Sequence, residues 1–220
     1  MRRNVTMAEI SDGRLYRGND MVKADCQDCK GCSACCHDMV DTIILTPFDL
    51  YNLQKAAGKT LQELLLREVE LNVVNGLVLP NLKMTEEGKC CAFLDENGRC
   101  SIHTFRPDLC RLFPLGRVYE GNDFKYFLQT GQCDHTRTKI KVSKWIDMPA
   151  APEHRAYIVR WHDLTGRVEE LLWDSDDEEF KKNLNMALLN GFFMTPYDAE
   201  ADFYPQFDTR AKKLEAVLMP

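Results

Sequence analysis

The chain has 220 residues, 45% hydrophobic and 28% charged, with a formal charge of −6. That composition is globular, and the length affords a full core without covalent staples. The acidic excess lies entirely in residues 151–220, with 8 basic and 14 acidic residues, and it disfavours nucleic-acid binding, which needs a basic face.

The first 25 residues alternate weakly and read as a short hairpin or an ordered arm. Two arginines near the start are followed by no apolar run, so no signal peptide is expected. No stretch approaches 18 apolar residues, so no membrane span is expected either. The expected compartment is the cytoplasm, where thiols stay reduced and disulfides are disfavoured.

A cysteine run, "CQDCKGCSACCHD", occupies residues 26–38. "TIIL" at 42–45 then predicts a brief buried strand. Thr46-Pro47 predicts the N-cap and first residue of a helix ending near Gly58. "TLQE" at 60–63 has the capping-box pattern and predicts a second helix, running to about Asn72. Residues 73–85 read as extended, with Asn75-Gly76 as a turn.

Asp95–Gly98 predicts a turn between two short strands that would bring Cys91 near Cys100. Arg106-Pro107 starts a helical turn carrying Cys110. Residues 116–133 read as a further hairpin, turning at Glu120–Asp123 and delivering Cys133. From about 137 the pattern turns helical. Tyr157, Trp161, Leu164, Val168 and Leu171 form one apolar stripe on a long helix. Ser175 predicts the N-cap of a helix over 176–190, closed by Gly191. A last helix runs from near Pro205 to Leu218. "DSDDEEF" at 174–180 is an acidic helix start, not a calcium loop. "PYDAEADFYPQF" at 196–207 is expected to pack the tail onto the body, with a partner surface as the alternative. The predicted class is α+β. Residues 1–136 are expected to form a cysteine-rich metal-binding part, and 137–220 a helical region packed on it.

The ten cysteines stand at 26, 29, 32, 35, 36, 90, 91, 100, 110 and 133. A thiolate site needs side chains that converge on one metal. An x2 spacing achieves this through a tight turn, and here the step repeats from Cys26 to Cys35. Cys26, Cys29, Cys32 and Cys36 also match a bacterial ferredoxin spacing, although His37 stands where that pattern has proline. Cys35 and Cys36, being adjacent, are expected to diverge, serving two centres or leaving one a bystander. With Cys91, Cys100, Cys110 and Cys133, the thiols suffice for two Cys₄ sites or one larger cluster. Lys30, Arg99, Arg106 and Arg111 stand beside them and would offset their negative charge. His37, His103 and His135 adjoin cysteines but are expected outside the ligand set. His154 and His162 are expected at the surface or an interface. No nucleotide-binding, radical-SAM, serine-hydrolase or zinc-protease motif occurs.

"CKGCSACC" at 29–36, followed in order by "CAFL" at 91–94, "GRCSI" at 98–102 and "RPDLCRLFP" at 106–114, resembles the YkgJ-like CxxCxxCC cysteine-cluster family. The resemblance covers roughly residues 26–135. It implies a zinc- or iron-chelating domain, with ligands at Cys29, Cys32, Cys35, Cys36, Cys91, Cys100 and Cys110, and Cys133 as the eighth. Cys26 and Cys90 fall outside the motif. Flagellin lysine N-methylases carry a related cysteine domain, but no methyl-donor pocket is legible here, so the metal site carries over and the reaction does not. The expected cofactor is an iron–sulfur cluster of the 4Fe–4S type, with a redox or protein-modification role. The alternative is structural zinc in a partner-binding scaffold. A protein partner is expected; a nucleic acid, a membrane or a small-molecule substrate is not.

Overall fold

A computed structural model describes residues 6–25, 32–85, 89–133 and 138–218. Along the chain come α1 (Met7–Ile10), β1 (Met21–Asp25), α2 (Pro47–Ala57), α3 (Leu61–Leu64), β2 (Val69–Val74), β3 (Leu77–Leu82), α4 (Asp108–Leu112), β4 (Leu115–Glu120), β5 (Asp123–Leu128), β6 (Thr138–Lys141), α5 (Val142–Ile146), α6 (Ala151–Asp174), α7 (Glu178–Leu189) and α8 (Phe203–Leu218). The architecture is α+β. The strands form three antiparallel pairs, β1–β6, β2–β3 and β4–β5.

Local chemistry fixes the clearest boundaries. Thr46 caps α2: its hydroxyl accepts from the Asp49 N–H at 3.3 Å, and the Asp49 carboxylate accepts from the Thr46 N–H at 2.8 Å. Pro47 opens the helix and Gly58 closes it at φ 64°, a left-handed conformation that costs glycine little. The β2–β3 hairpin turns through Asn75 and Gly76, at φ 50° and 86°. Two positive φ values are what a two-residue type I′ turn requires. β4 and β5 pair as a second tight hairpin, with Glu120 opposite Asp123.

Several expectations need correction. Thr60 does form the capping box with Glu63, but α3 ends at Leu64. Val69–Val74 is a strand paired along its length with β3. Its β-branched residues and the Asn-Gly turn outweigh the helical start. "TIIL" makes only one bridge, from Ile44 to Asn81, although Ile43 and Leu45 are buried against β3. The helical region does not begin at 137, because Thr138–Lys141 pairs with β1. The N-terminal arm is ordered by long-range pairing: Tyr16 bridges Tyr126 and β1 pairs with β6. The N-cap of α7 is Asp177, whose carboxylate accepts from the Glu179 and Phe180 N–H groups; Ser175 ends α6. Gly191 lies inside a π-helical turn over Asn190–Met194 and does not stop the helix.

One contiguous set of buried side chains runs through the chain from Val22 to Leu214. α6 contributes His154, Tyr157, Ile158, Trp161, Leu164, Val168 and Leu172. The tail is fastened by aromatic rings. Phe203 lies 5.1 Å from the rings of Phe48, Tyr157 and Tyr197, and 5.4 Å from that of Tyr51. Helix α8 thereby packs on α2 and α6, and α2 lies beside the cysteine segments. No helix among the described residues is long and apolar enough to cross a membrane.

Candidate metal centre

Cys26 and Cys29 lie outside the described residues, as does His135. The rest of the cysteine run folds as a 3₁₀ turn at Ala34–Cys36, with the Cys36 N–H on the Ser33 carbonyl at 2.8 Å. The chain then joins a segment more than 50 residues downstream. The Asp38 N–H donates to the Lys89 carbonyl, and the Cys91 N–H donates to the Cys36 carbonyl, both at 2.7 Å. On its other side the same segment bonds to residues 83–85: Thr85 N–H to Cys90 carbonyl at 2.7 Å, Ala92 N–H to Lys83 carbonyl at 3.0 Å. Residues 90–91 are thus a short bridged piece held between two neighbours.

Adjacent side chains on an extended piece face opposite ways. Cys91 faces inward. Cys90 faces Thr85, whose hydroxyl is 3.2 Å from its sulfur. The Asp95 side chain then builds the following turn by accepting from the Asn97 and Arg99 N–H groups at 2.9 and 2.7 Å, and Gly98 takes φ 69°. Cys100 returns opposite Leu94. The expected turn is present, but isolated bridges replace the two expected strands. The α4 turn carries Cys110.

These segments enclose a cavity of about 70 Å³. Six cysteines line it: Cys32, Cys35, Cys36, Cys91, Cys100 and Cys110. All six are free thiols. The adjacent pair Cys35 and Cys36 was expected to diverge, yet the tight turn brings both onto the same wall. Met39, Ile43, Leu82, Met84 and Ile102 supply apolar surface, and Arg99, His103 and Arg106 supply polar and positive surface. Cys90 and Cys133 are not among the described residues lining the cavity; Cys133 follows the β4–β5 hairpin.

Four of the thiols act on one another electrostatically. The hydrogen bond with Cys36 and then burial push the Cys35 thiol far above its ordinary value. Burial pushes Cys91 up to about 11, with Cys100, Cys90 and Cys35 adding to the shift. Burial raises Cys100, opposed by the Ile102 N–H and by Arg106. Burial holds the Cys110 thiol well above its ordinary value, with the charges of Cys91, Cys35, Asp49 and Cys100 adding to the shift. Every pair within Cys35, Cys91, Cys100 and Cys110 is coupled in this way. A cation at their centre would reverse the penalty, since a coordinating thiol is deprotonated outright. Thiolate donors suit zinc, copper(I) and iron–sulfur centres. Among the described residues, no group of three or more His, Cys, Asp or Glu is already gathered tightly enough to hold an ion. The fit lies in donor chemistry and shared placement, not in preformed coordination.

Next to the thiols stands a buried charged cluster that the cysteine pattern gives no hint of. It comprises Asp49, Asp108, Arg117 and His154. Burial would raise the Asp108 carboxyl, but Arg117 and His154 outweigh it and hold the group well below the usual range. Burial and then the Asp108 charge push Asp49 up to about 6. His154, expected at the surface or an interface, is 4% exposed and packed inside the chain. It lies one helical step before Tyr157 on the apolar stripe, and that phase was the signal to its burial. His162 is exposed and stacks on Tyr119, with ring centroids 3.5 Å apart.

A model of the CxxCxxCC family, described as a "putative zinc- or iron-chelating domain", matches residues 28–139. No curated protein and no solved structure matches the chain.

Proposed function

The chain belongs to the CxxCxxCC family of cysteine-cluster domains, and from that premise we propose that its cavity binds an iron–sulfur cluster of the 4Fe–4S type. The observation that carries the reading is that Cys32, Cys35, Cys36, Cys91, Cys100 and Cys110 line one cavity, with Cys35, Cys91, Cys100 and Cys110 all held above the ordinary thiol value there. Four thiolates are what such a cluster takes. Cys29, Cys32, Cys36 and Cys133 are the further candidate ligands beyond those four, and of these Cys32 and Cys36 line the same cavity.

Iron–sulfur is favoured over zinc by the ferredoxin-like spacing in the cysteine run and by the surroundings of the thiols. The surrounding wall is largely apolar, and burial and local hydrogen bonding are the means by which a protein sets a cluster's potential. A bound cluster supplies one-electron transfer. The chain's own residues exclude water with Met39, Ile43 and Met84 and moderate the negative charge with Arg99 and Arg106. The role is electron transfer or support of a protein modification, with a protein as partner and the reducing cytoplasm as the compartment. Structural zinc on the same four coupled thiols is the competing reading, because four is also a complete zinc set.

Absorption of anaerobically purified protein separates the two. The proposal expects a brown protein with broad visible absorption that bleaches on reduction. A colourless protein carrying stoichiometric zinc would replace it with the zinc scaffold.

A further inference from the structure

The charged cluster beside the cavity joins four elements distant in sequence. Asp49 is on α2, Asp108 on α4, Arg117 on β4 and His154 on α6. The Asp108 carboxylate accepts from Arg117 Nη2 at 2.8 Å, and both its oxygens lie 3.1 Å from His154 Nε2. Asp49 Oδ1 accepts from the Asp108 backbone N–H at 2.7 Å. The other nitrogen of His154 is 3.4 Å from the hydroxyl of Tyr204 on α8. None of the four lines the cavity.

This arrangement bears on Cys110. Helix α4 has five residues, and Pro107 at its N-cap position offers no side-chain cap. So short a helix has little stability of its own. Asp49 supplies from α2 the acceptor that α4 lacks, while Arg117 and His154 grip the first residue of the turn. Cys110 follows Asp108 by two positions, close enough to feel the Asp49 charge. Removing one member of such a buried network leaves an uncompensated charge, so the grip is strongly held.

We propose that Asp49, Asp108, Arg117 and His154 form the positioning frame of the metal centre, fixing the α4 turn so that Cys110 faces the cavity and making metal retention depend, through His154, on the seating of α6 and α8. The inference rests on the reading of the cavity as a metal centre. It makes the four residues positioning groups, not ligands.

The test is a chelator challenge of the metal-loaded protein, with loss followed by metal analysis after desalting. His154→Ala and Asp108→Asn are compared with Leu184→Ala, which disturbs the packing of α7 outside the frame. His154→Gln, which keeps a donor toward Asp108, is the rescue. The two frame variants should release metal about 10- to 100-fold faster than the parent, at a temperature where far-UV circular dichroism is still native. Leu184→Ala should not, and His154→Gln should recover most of the loss. In metal-free protein, alkylation mapped by mass spectrometry should quicken at Cys110 in both frame variants and stay unchanged at Cys100. Release at the parent rate, or equally fast release from Leu184→Ala, overturns the frame. A parent that holds no metal overturns the retention half and the metal reading with it, and Cys110 alkylation then decides the positioning half alone.

Discussion

Cys90 and Cys91 are neighbours in the chain and opposites in the fold. One faces Thr85 and the other the cavity. Cys91→Ser or Cys110→Ser should therefore lose bound metal, while Cys90→Ser should keep it; metal content of the three purified variants is the check, and equal loss in Cys90→Ser would contradict the assignment. The elevated thiols make a second prediction. Cys35, Cys91, Cys100 and Cys110 all sit above their ordinary values, so they are protonated at neutral pH before metal arrives. Loading should release protons, and affinity should rise with pH. Titration calorimetry in two buffers of different ionisation enthalpy measures that release. At this scale the sequence was informative about thiols and poor about carboxylates. Repeated spacing marks cysteines as a set before any fold is known. Asp49, Asp108, Arg117 and His154 come from four elements, and only tertiary packing brings them together.

The element scale shows which local signals hold. Helix α2 was legible at both ends because Thr46, Pro47 and Gly58 act on the backbone beside them. Thr46→Ala should cost about 1 kcal/mol through loss of the cap, read as a lower denaturation midpoint. The Asn75-Gly76 turn was equally plain, since few residues tolerate two positive φ values in succession. The extent of α3 was not legible. A capping box announces where a helix starts and says nothing of where it stops. Its end is set by the β2–β3 ladder, whose partner strand lies beyond the turn. β6 was hidden for the same reason, as its partner β1 is more than 100 residues earlier.

At the scale of the whole molecule, the cysteine segments and the helical tail share one core. The rings around Phe203 join α8 to α2 and α6, and α2 carries Asp49. Phe203→Ala should cost about 3–5 kcal/mol, seen in equilibrium denaturation. The cavity itself closes only when residues 36–38 bond to residues 89–91, a pairing no local pattern announces. Metal binding to such a split set adds directly to folding free energy, so removal of the metal should lower the thermal midpoint. The most direct test of the central claim is iron and acid-labile sulfide analysis of the anaerobically purified full chain. The account predicts iron and sulfide in equal amounts, about four of each per chain, both lost when Cys35, Cys91, Cys100 and Cys110 are replaced together by serine. Stoichiometric zinc without sulfide, or no metal at all, would contradict it.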